Sequence, residues 1–148
     1  MPSAVEKSKE QATFIPMMRE LARTYQAFAN YSDSHVRELG LTPPQFDVIA
    51  TLGNTEGMSM KDLAEATLVT KGTLTGIVDR LEKKGLVRRK VPPENRRSFT
   101  IVLTDEGETL FEDTFSTHIA HLQPRFEQLT PAELKQLQQL LKKLRLQF

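Results

Sequence analysis

Residues 59–84 constrain the fold most, because they read as two short helices joined by a tight turn. Ser59 and Thr70 are residue types that cap helix N-termini, and each precedes a run with helical apolar spacing. The residues predicted to be buried are Leu63, Ala64 and Leu68 in the first helix and Leu74, Ile77, Val78 and Leu81 in the second. Together with the turn at 68–69, this spacing predicts a helix-turn-helix.

The hydrophobic period changes after Gly85. Residues 86–91 and 98–103 are rich in β-forming residues of alternating character, and the polar segment 92–97 between them contains two prolines. This pattern predicts a β-hairpin with a long tip. A helix-turn-helix followed by a basic hairpin indicates a winged helix-turn-helix, a fold class that is mainly α with a small β-hairpin wing.

The second helix of the motif carries Gly72 and Gly76 on the side opposite its apolar residues. Each glycine costs a helix interior roughly 1 kcal/mol relative to alanine. A helix that enters a DNA major groove needs short side chains, hydroxyls and nearby basic residues on its outward side. Packing of the glycines against a neighbouring helix is the alternative explanation. The outward side is small, hydroxylated and charged: Gly72, Thr73, Thr75, Gly76, Asp79 and Arg80.

Two helices are predicted before this motif. Apolar residues at three- and four-residue steps predict a long helix over about 16–39, and Gly40 ends it. Thr42 and Gln45 form a capping box around two prolines, which predicts the start of a short second helix. The apolar face predicted for that helix consists of Phe46, Ile49, Ala50 and Leu52.

Two more helices are predicted after the hairpin. Thr104, followed by acidic residues, predicts a helix N-terminus, and Pro124 is expected to interrupt or kink this helix. The capping box at 130–133 begins the last helix. The apolar stripes consist of Leu110, Phe111, Phe115, Ile119 and Leu122 in the first, and Leu134, Leu137, Leu140, Leu141 and Leu144 in the second. A leucine stripe at a chain terminus favours a dimer, with burial inside the same subunit as the alternative.

Charge is segregated along the chain. Residues 61–100 contain ten lysines or arginines against five acids, a net charge of +5, whereas the whole chain carries +1 and the remainder therefore −4. A basic middle flanked by acidic ends indicates that the middle meets a polyanion such as double-stranded DNA. A solvated face with chance clustering is the other explanation.

Several protein classes are disfavoured by what the sequence lacks. Cysteine is absent, which excludes disulfides, thiolate zinc sites and sensing through cysteine oxidation. No run approaches the ~18 apolar residues that span a bilayer, and the charged N-terminus differs from a secretory signal. We therefore expect a cytoplasmic, nucleoid-associated protein with no membrane partner. No nucleophile motif or phosphate-binding glycine loop is present, so we expect neither an enzyme nor a cofactor.

Two stretches and the long helices that flank them carry a family resemblance. The stretches are MSMKDLAEATLVTKGTLTGIVDRLEKKGLVRRK at 58–90 and PPENRRSFTIVLTDEG at 92–107. In these features the chain resembles the MarR (multiple antibiotic resistance regulator) family of bacterial transcription factors. The resemblance implies a homodimer held by its terminal helices, with one winged domain per subunit on successive major grooves of a pseudo-palindromic operator. It also implies that the regulator is a repressor released by a small effector.

The resemblance assigns residues 70–80 to the recognition helix and Arg97 to the wing arginine that enters the minor groove. The chain has Asn95 where the family usually has aspartate, so the acid that would orient the wing arginine is missing or is replaced by Glu94. We expect three regions: 1–39 for dimerisation, 40–103 as the DNA-binding domain, and 104–148 for dimerisation. The residues expected to contact DNA are Ser59, Lys61, Thr70, Lys71, Gly72, Thr73, Thr75, Gly76, Arg80, Arg88, Asn95, Arg96 and Arg97.

The effector implied by the resemblance is a small aromatic or anionic molecule in a cleft between the dimer helices and the winged domain. Tyr31, His35, Arg37 and Phe46 come from segments that would line such a cleft. Aromatic residues at helical spacing are also typical of a plain core.

Two other functions remain open at this point. His118 and His121 lie one helical turn apart and, with His35, are candidate metal ligands of a metal-responsive repressor. Three histidines without cysteine are more typical of solvated or hydrogen-bonded side chains, so we expect no metal site. The second possibility is a winged-helix module that docks a protein instead of DNA.

Overall fold

The computed structural model describes residues 3–4, 12–67, 69–94 and 98–148. The chain divides into two units, 1–34 and 35–148. In chain order the elements are α1 (Ile15–Glu38), α2 (Pro43–Leu52), β1 (Met58–Ser59), α3 (Met60–Thr67), α4 (Lys71–Lys83), β2 (Val87–Lys90), β3 (Thr100–Leu103), α5 (Asp105–Phe126) and α6 (Pro131–Arg145).

Local signals fix the helix ends, as the sequence predicts. Gly40 follows α1 with a φ of +87°, a left-handed conformation that costs glycine little. The Thr42 hydroxyl accepts a hydrogen bond from the Gln45 backbone amide at 3.3 Å, and the Gln45 side chain accepts one from the Thr42 amide at 3.2 Å. An equivalent box caps α6 at Thr130. Both predicted capping boxes are confirmed.

The core of the second unit joins the helix-turn-helix to the sheet and to α5. Complete burial of an aliphatic side chain contributes about 1.5–3 kcal/mol, so this cluster is a main source of hydrophobic stabilisation for the unit. Its buried members come from α2, α3, α4, β2, β3 and α5: Val48, Ile49, Leu52, Leu63, Leu74, Ile77, Val78, Leu81, Val87, Ile101 and Phe111.

The hairpin is part of a three-stranded antiparallel sheet with the order β1-β3-β2. Val87 pairs with Leu103 and Lys90 with Thr100, so the predicted hairpin is confirmed in its strands. β1 adds the pair Met58 and Ile101. The sequence does not predict β1, because two residues are too few to show an alternating pattern.

The predicted apolar stripe of α5 is wrong in part. Phe115 and Ile119 are exposed, at 37% and 44%, whereas the polar residues Thr114 and His118 are buried. The helix also continues through Pro124 to Phe126, so the predicted interruption does not occur. The face that packs inward is Gly107, Phe111, Thr114, His118 and Leu122.

The buried face of α2 also differs from its prediction. Phe46 and Ala50 are only half-buried, whereas Gln45 and Val48 are buried. In α3, Leu63 is buried as predicted and Ala64 is half-buried. Leu68 lies outside the described residues.

Apolar side chains remain exposed on the terminal helices. No residue of α6 is buried, and Leu137, Leu140 and Leu141 are among its exposed leucines. Phe14, Met17, Met18, Leu21, Tyr25 and Phe28 are exposed in the first unit. Among the described residues, no helix combines the length and apolar character needed to cross a membrane.

Candidate nucleic-acid interface

The helix α4 has the two faces that its sequence predicts. Leu74, Ile77, Val78 and Leu81 are buried in the core. The opposite face is open to solvent, and only Gly76 on it is half-buried. Its exposed residues are Lys71, Gly72, Thr73, Thr75, Asp79 and Arg80.

Neither glycine of α4 makes room for a packed neighbour. A Cβ placed on Gly72 would meet no atom of the described residues within 4 Å beyond the helix's own backbone. A Cβ on Gly76 would touch only the mobile end of Arg80, with Nη2 at 3.8 Å. Helix packing therefore does not explain the glycines in this part of the chain, and a bare outward surface does.

The N-terminus of α4 differs from those of α2, α5 and α6, whose threonine caps accept a backbone amide hydrogen bond. Thr70 occupies the cap position, but its hydroxyl donates to the Thr73 hydroxyl at 3.1 Å and caps no backbone amide. The predicted side-chain cap at Thr70 is therefore wrong. The first turn of α4 also contains no acid. These amides can donate to a phosphate, which the positive end of the helix dipole favours.

The helix before the turn contributes two of the predicted residues. Lys61 is exposed on α3. The hydroxyl of Ser59 accepts the Asp62 amide hydrogen bond at 3.1 Å, so this residue caps α3. Thr75 is also engaged locally, because its hydroxyl donates to the Lys71 carbonyl at 3.1 Å.

Arg89 ties the wing to α4, an interaction that the sequence does not predict. Its guanidinium donates to Asp79 at 2.6 Å and to Glu82 at 2.7 Å. Its backbone amide donates to the second oxygen of Glu82 at 3.2 Å, and the Phe99 ring lies 5.6 Å from the guanidinium carbon. The hydrogen bond to Asp79, followed by the attraction of Glu82, raises the pKa of Arg89 despite opposing desolvation. Two acids three residues apart, followed by an arginine-rich strand, are the sequence signal for this pairing.

The rest of the wing follows strand alternation. Arg88 is exposed on β2, opposite Val102 of β3, on the strand position between inward-facing Val87 and Arg89. The predicted tip contacts Asn95, Arg96 and Arg97 lie outside the described residues. The outward faces of α4 and β2 together present Lys71, Arg80, Arg88 and Lys90.

Three histidines meet at a separate place in the second unit. Nδ1 of His35 lies 2.8 Å from Nδ1 of His118, and the rings of His35 and His121 stack with centroids 3.9 Å apart. Phe46 meets the His118 ring edge to face at 4.9 Å. A hydrogen bond between two ring nitrogens needs one donor and one acceptor, so the tautomers of His35 and His118 are coupled, with one ring donating to the other.

This arrangement is that of hydrogen-bonded rings. Nitrogens that bind one tetrahedral zinc ion lie about 3.4 Å apart, given Zn–N distances of about 2.1 Å, which is wider than the spacing between His35 and His118. Within the described ranges, no three or more His, Asp or Glu side chains are grouped so that they could hold a metal ion.

Of the predicted effector residues, the structure brings His35 and Phe46 together through His118. Arg37 is exposed on the last turn of α1, and Tyr31 is half-buried in the first unit. His118 escapes the effector prediction because a lone histidine on a helix gives no sign of burial.

Residues 41–99 match the MarR family. The homoprotocatechuate degradative operon repressor of Escherichia coli is 32% identical over 122 residues, which is 82% of each chain. The chain belongs to the MarR family. The structure of NadR in complex with 4-hydroxyphenylacetate covers 97% of both chains with a TM-score of 0.77 and 27% identity. A mutant of MarR from E. coli, complexed with operator DNA, gives a TM-score of 0.77 and 27% identity over 90% of this chain and 96% of that one.

This MarR-family chain is a DNA-binding transcriptional regulator, and its relatives are transcriptional regulators. The winged helix-turn-helix fold predicted from the sequence is confirmed. The individual DNA contacts remain predictions, and the described ones are Ser59, Lys61, Thr70, Lys71, Gly72, Thr73, Thr75, Gly76, Arg80 and Arg88.

Proposed function

We propose that this chain is a homodimeric repressor that inserts α4 into the major groove of each half of a pseudo-palindromic operator. The open outward face of α4 around Gly72 and Gly76 carries this proposal. Short side chains let the helix backbone approach the base edges, and the exposed lysine and arginines around it neutralise phosphates. The wing reaches the adjacent minor groove, and Arg97 is the wing arginine that the sequence assigns to this contact.

The assignment of chain regions to DNA binding and dimerisation follows the distribution of charge and of exposed apolar side chains. Residues 40–103 bind DNA, and 1–39 and 104–148 hold the dimer. The exposed leucines of α6 and the exposed aromatic and methionine side chains of the first unit support this assignment, because contiguous apolar surface marks association sites. A dimer also matches the two-fold symmetry of a palindromic operator. The protein is cytoplasmic and has no catalytic role.

The effector is a small aromatic carboxylate that binds beside the histidine cluster. Phe46 offers a ring for stacking, and the half-buried imidazole of His35, held by His118, offers a hydrogen bond to a carboxylate or phenol. The ligand of the NadR structure and the name of the E. coli repressor support this chemical class.

A binding assay tests the DNA function. Genomic fragments retained by the wild-type protein are sequenced, and their affinity is measured against salt concentration. We expect recurring pseudo-palindromes and an affinity that falls steeply with salt. Recovery of no DNA, with proteins retained in a parallel column, would favour the protein-docking module instead.

The effector assignment has its own test, with 4-hydroxyphenylacetate as the probe. We expect this compound to release the operator fragment from the wild-type protein, and Phe46→Leu to weaken that response. Arg37→Gln, on the exposed last turn of α1, should also weaken the response if Arg37 contacts the carboxylate of the effector. Release by zinc, with no response to the aromatic acid, would favour the metal-responsive alternative.

A further inference from the structure

We propose that Arg89 is a positioning residue, which holds the wing at a fixed place beside the recognition helix by bridging Asp79 and Glu82. The proposal rests on the DNA-binding function above. It concerns a residue that need not touch DNA itself.

The geometry of Arg89 supports this role. Its two terminal nitrogens are used separately, one for each acid, and its backbone amide bonds the second oxygen of Glu82. Only 26% of its side chain is exposed, against 51% for Asp79. A planar guanidinium held by two carboxylates one helical turn apart fixes direction as well as distance.

Phe99 extends the bridge to the other strand of the wing. Its ring lies beside the guanidinium, and it directly precedes β3. Strand β2 and the residue that enters β3 are therefore both connected to α4 through the Arg89 side chain. A protein that reads two grooves at once needs this spacing set before binding, because a loose wing pays an ordering cost on the DNA.

Removing the acid at Asp79 tests the proposal, because charge and positioning predict opposite changes in DNA affinity. Asp79 lies on the exposed face of α4, where a carboxylate repels phosphates, so its removal should strengthen DNA binding if charge alone mattered. If the acid holds Arg89, its removal should weaken binding, because the wing is released. Charge and positioning thus predict opposite outcomes for Asp79→Asn.

The experiment compares Asp79→Asn and Glu82→Gln with Glu65→Gln, whose acid is exposed on α3 and forms no ion pair with Arg89. Affinity for the operator fragment is measured at several salt concentrations, well below each variant's melting temperature. We expect Asp79→Asn and Glu82→Gln each to bind the operator about tenfold more weakly, with an unchanged dependence of affinity on salt concentration. Glu65→Gln should bind as tightly as wild type or more tightly.

Arg89→Lys and an Arg97→Ala background complete the test. Lysine keeps the charge but cannot bridge two acids in one plane, so Arg89→Lys should also weaken DNA binding.

In Arg97→Ala, the wing contact with DNA is already lost, so adding Asp79→Asn should cause little further loss of affinity. Unchanged or tighter binding by Asp79→Asn in the wild-type background would overturn the proposal. A wild-type protein that binds no DNA would instead refute the proposed function.

Discussion

At the scale of single residues, glycine serves opposite purposes at two places in this chain. Gly72 on α4 faces open space. Gly107 on α5 lies so close to the Leu86 carbonyl that any Cβ would overlap its oxygen. The start of α5 packs against residues 85–86, where the Thr104 hydroxyl also donates to the Gly85 carbonyl at 2.6 Å. One glycine keeps a surface bare, and the other permits a close backbone approach.

This contrast predicts opposite stability changes for the same substitution. Gly107→Ala should lower the free energy of unfolding by about 3 kcal/mol, because the added methyl forces the backbones apart. Gly72→Ala should raise it by up to about 1 kcal/mol, because alanine is the better helix former and meets nothing. Urea unfolding at one fixed protein concentration measures both. Equal effects of the two substitutions would contradict this account of the glycines.

Gly76→Leu probes the surface and the fold separately. We expect the variant to fold, because a Cβ at this position touches only the flexible end of Arg80 and the position lies on the outward side of α4. Operator affinity should fall by at least about 2 kcal/mol, because leucine holds the helix away from the base edges, while the salt dependence of non-specific binding persists. An intact operator affinity per folded molecule would show that the bare face is not used for reading DNA.

Asp47 on α2 gives a prediction about pH. Burial raises the pKa of its carboxyl, so the folded state holds the proton more tightly than the unfolded state does. The charged form therefore destabilises the fold above the raised pKa, and this penalty disappears as the pH falls below the unfolded value.

Asp47→Asn should consequently stabilise the protein at pH 7, by on the order of 0.5 kcal/mol because the site is only half-buried. The difference between wild type and variant should shrink toward zero as the pH falls below about 4. Thermal or urea unfolding at both pH values measures it. A stabilisation that grows on acidification would have the wrong sign.

At the scale of elements, the sequence predicts whatever depends on local chemistry. The capping boxes at Thr42 and Thr130 and the buried face of α4 are confirmed because neighbours along the chain determine them. β1 escapes prediction because its pairing with Ile101 joins distant parts of the chain.

The buried face of α5 likewise depends on contacts that the local sequence does not show. Its sequence favours an apolar stripe through Phe115 and Ile119, but the face that packs inward includes Thr114 and His118. Thr114 satisfies its hydroxyl by donating to the Leu110 carbonyl at 2.6 Å, and His118 bonds His35. Polar residues are buried here because tertiary partners satisfy them, and those partners lie beyond any local window.

The α6 helix carries the prediction at this scale. Truncation after Pro131 removes a helix that has no buried residue, so the remaining winged domain keeps its core. We expect the truncated chain to be a monomer or an aggregate, whereas the full chain remains a dimer at low micromolar concentration. Sedimentation velocity distinguishes these states. A soluble truncated dimer with unchanged DNA affinity would refute the role given to α6.

At the scale of the whole molecule, function depends on the separation of a basic middle from acidic ends. Residues 61–100 contain ten of the chain's 20 lysines and arginines. The ion pairs that Arg89 forms with Asp79 and Glu82 place a positive charge beside the two acids on the wing side of α4. In the function proposed above, the terminal helices hold the second subunit, so each operator half meets one recognition helix and one wing.

The central claim is that α4 reads the major groove of both operator halves, and protection of guanine N7 from methylation tests it most directly, because N7 lies in that groove. The wild-type protein on its selected operator fragment should protect two clusters of guanines about 10 base pairs apart, one helical turn. Gly76→Leu should lose this protection at concentrations where it still binds DNA non-specifically. Tight operator binding with every guanine N7 still reactive would contradict the claim.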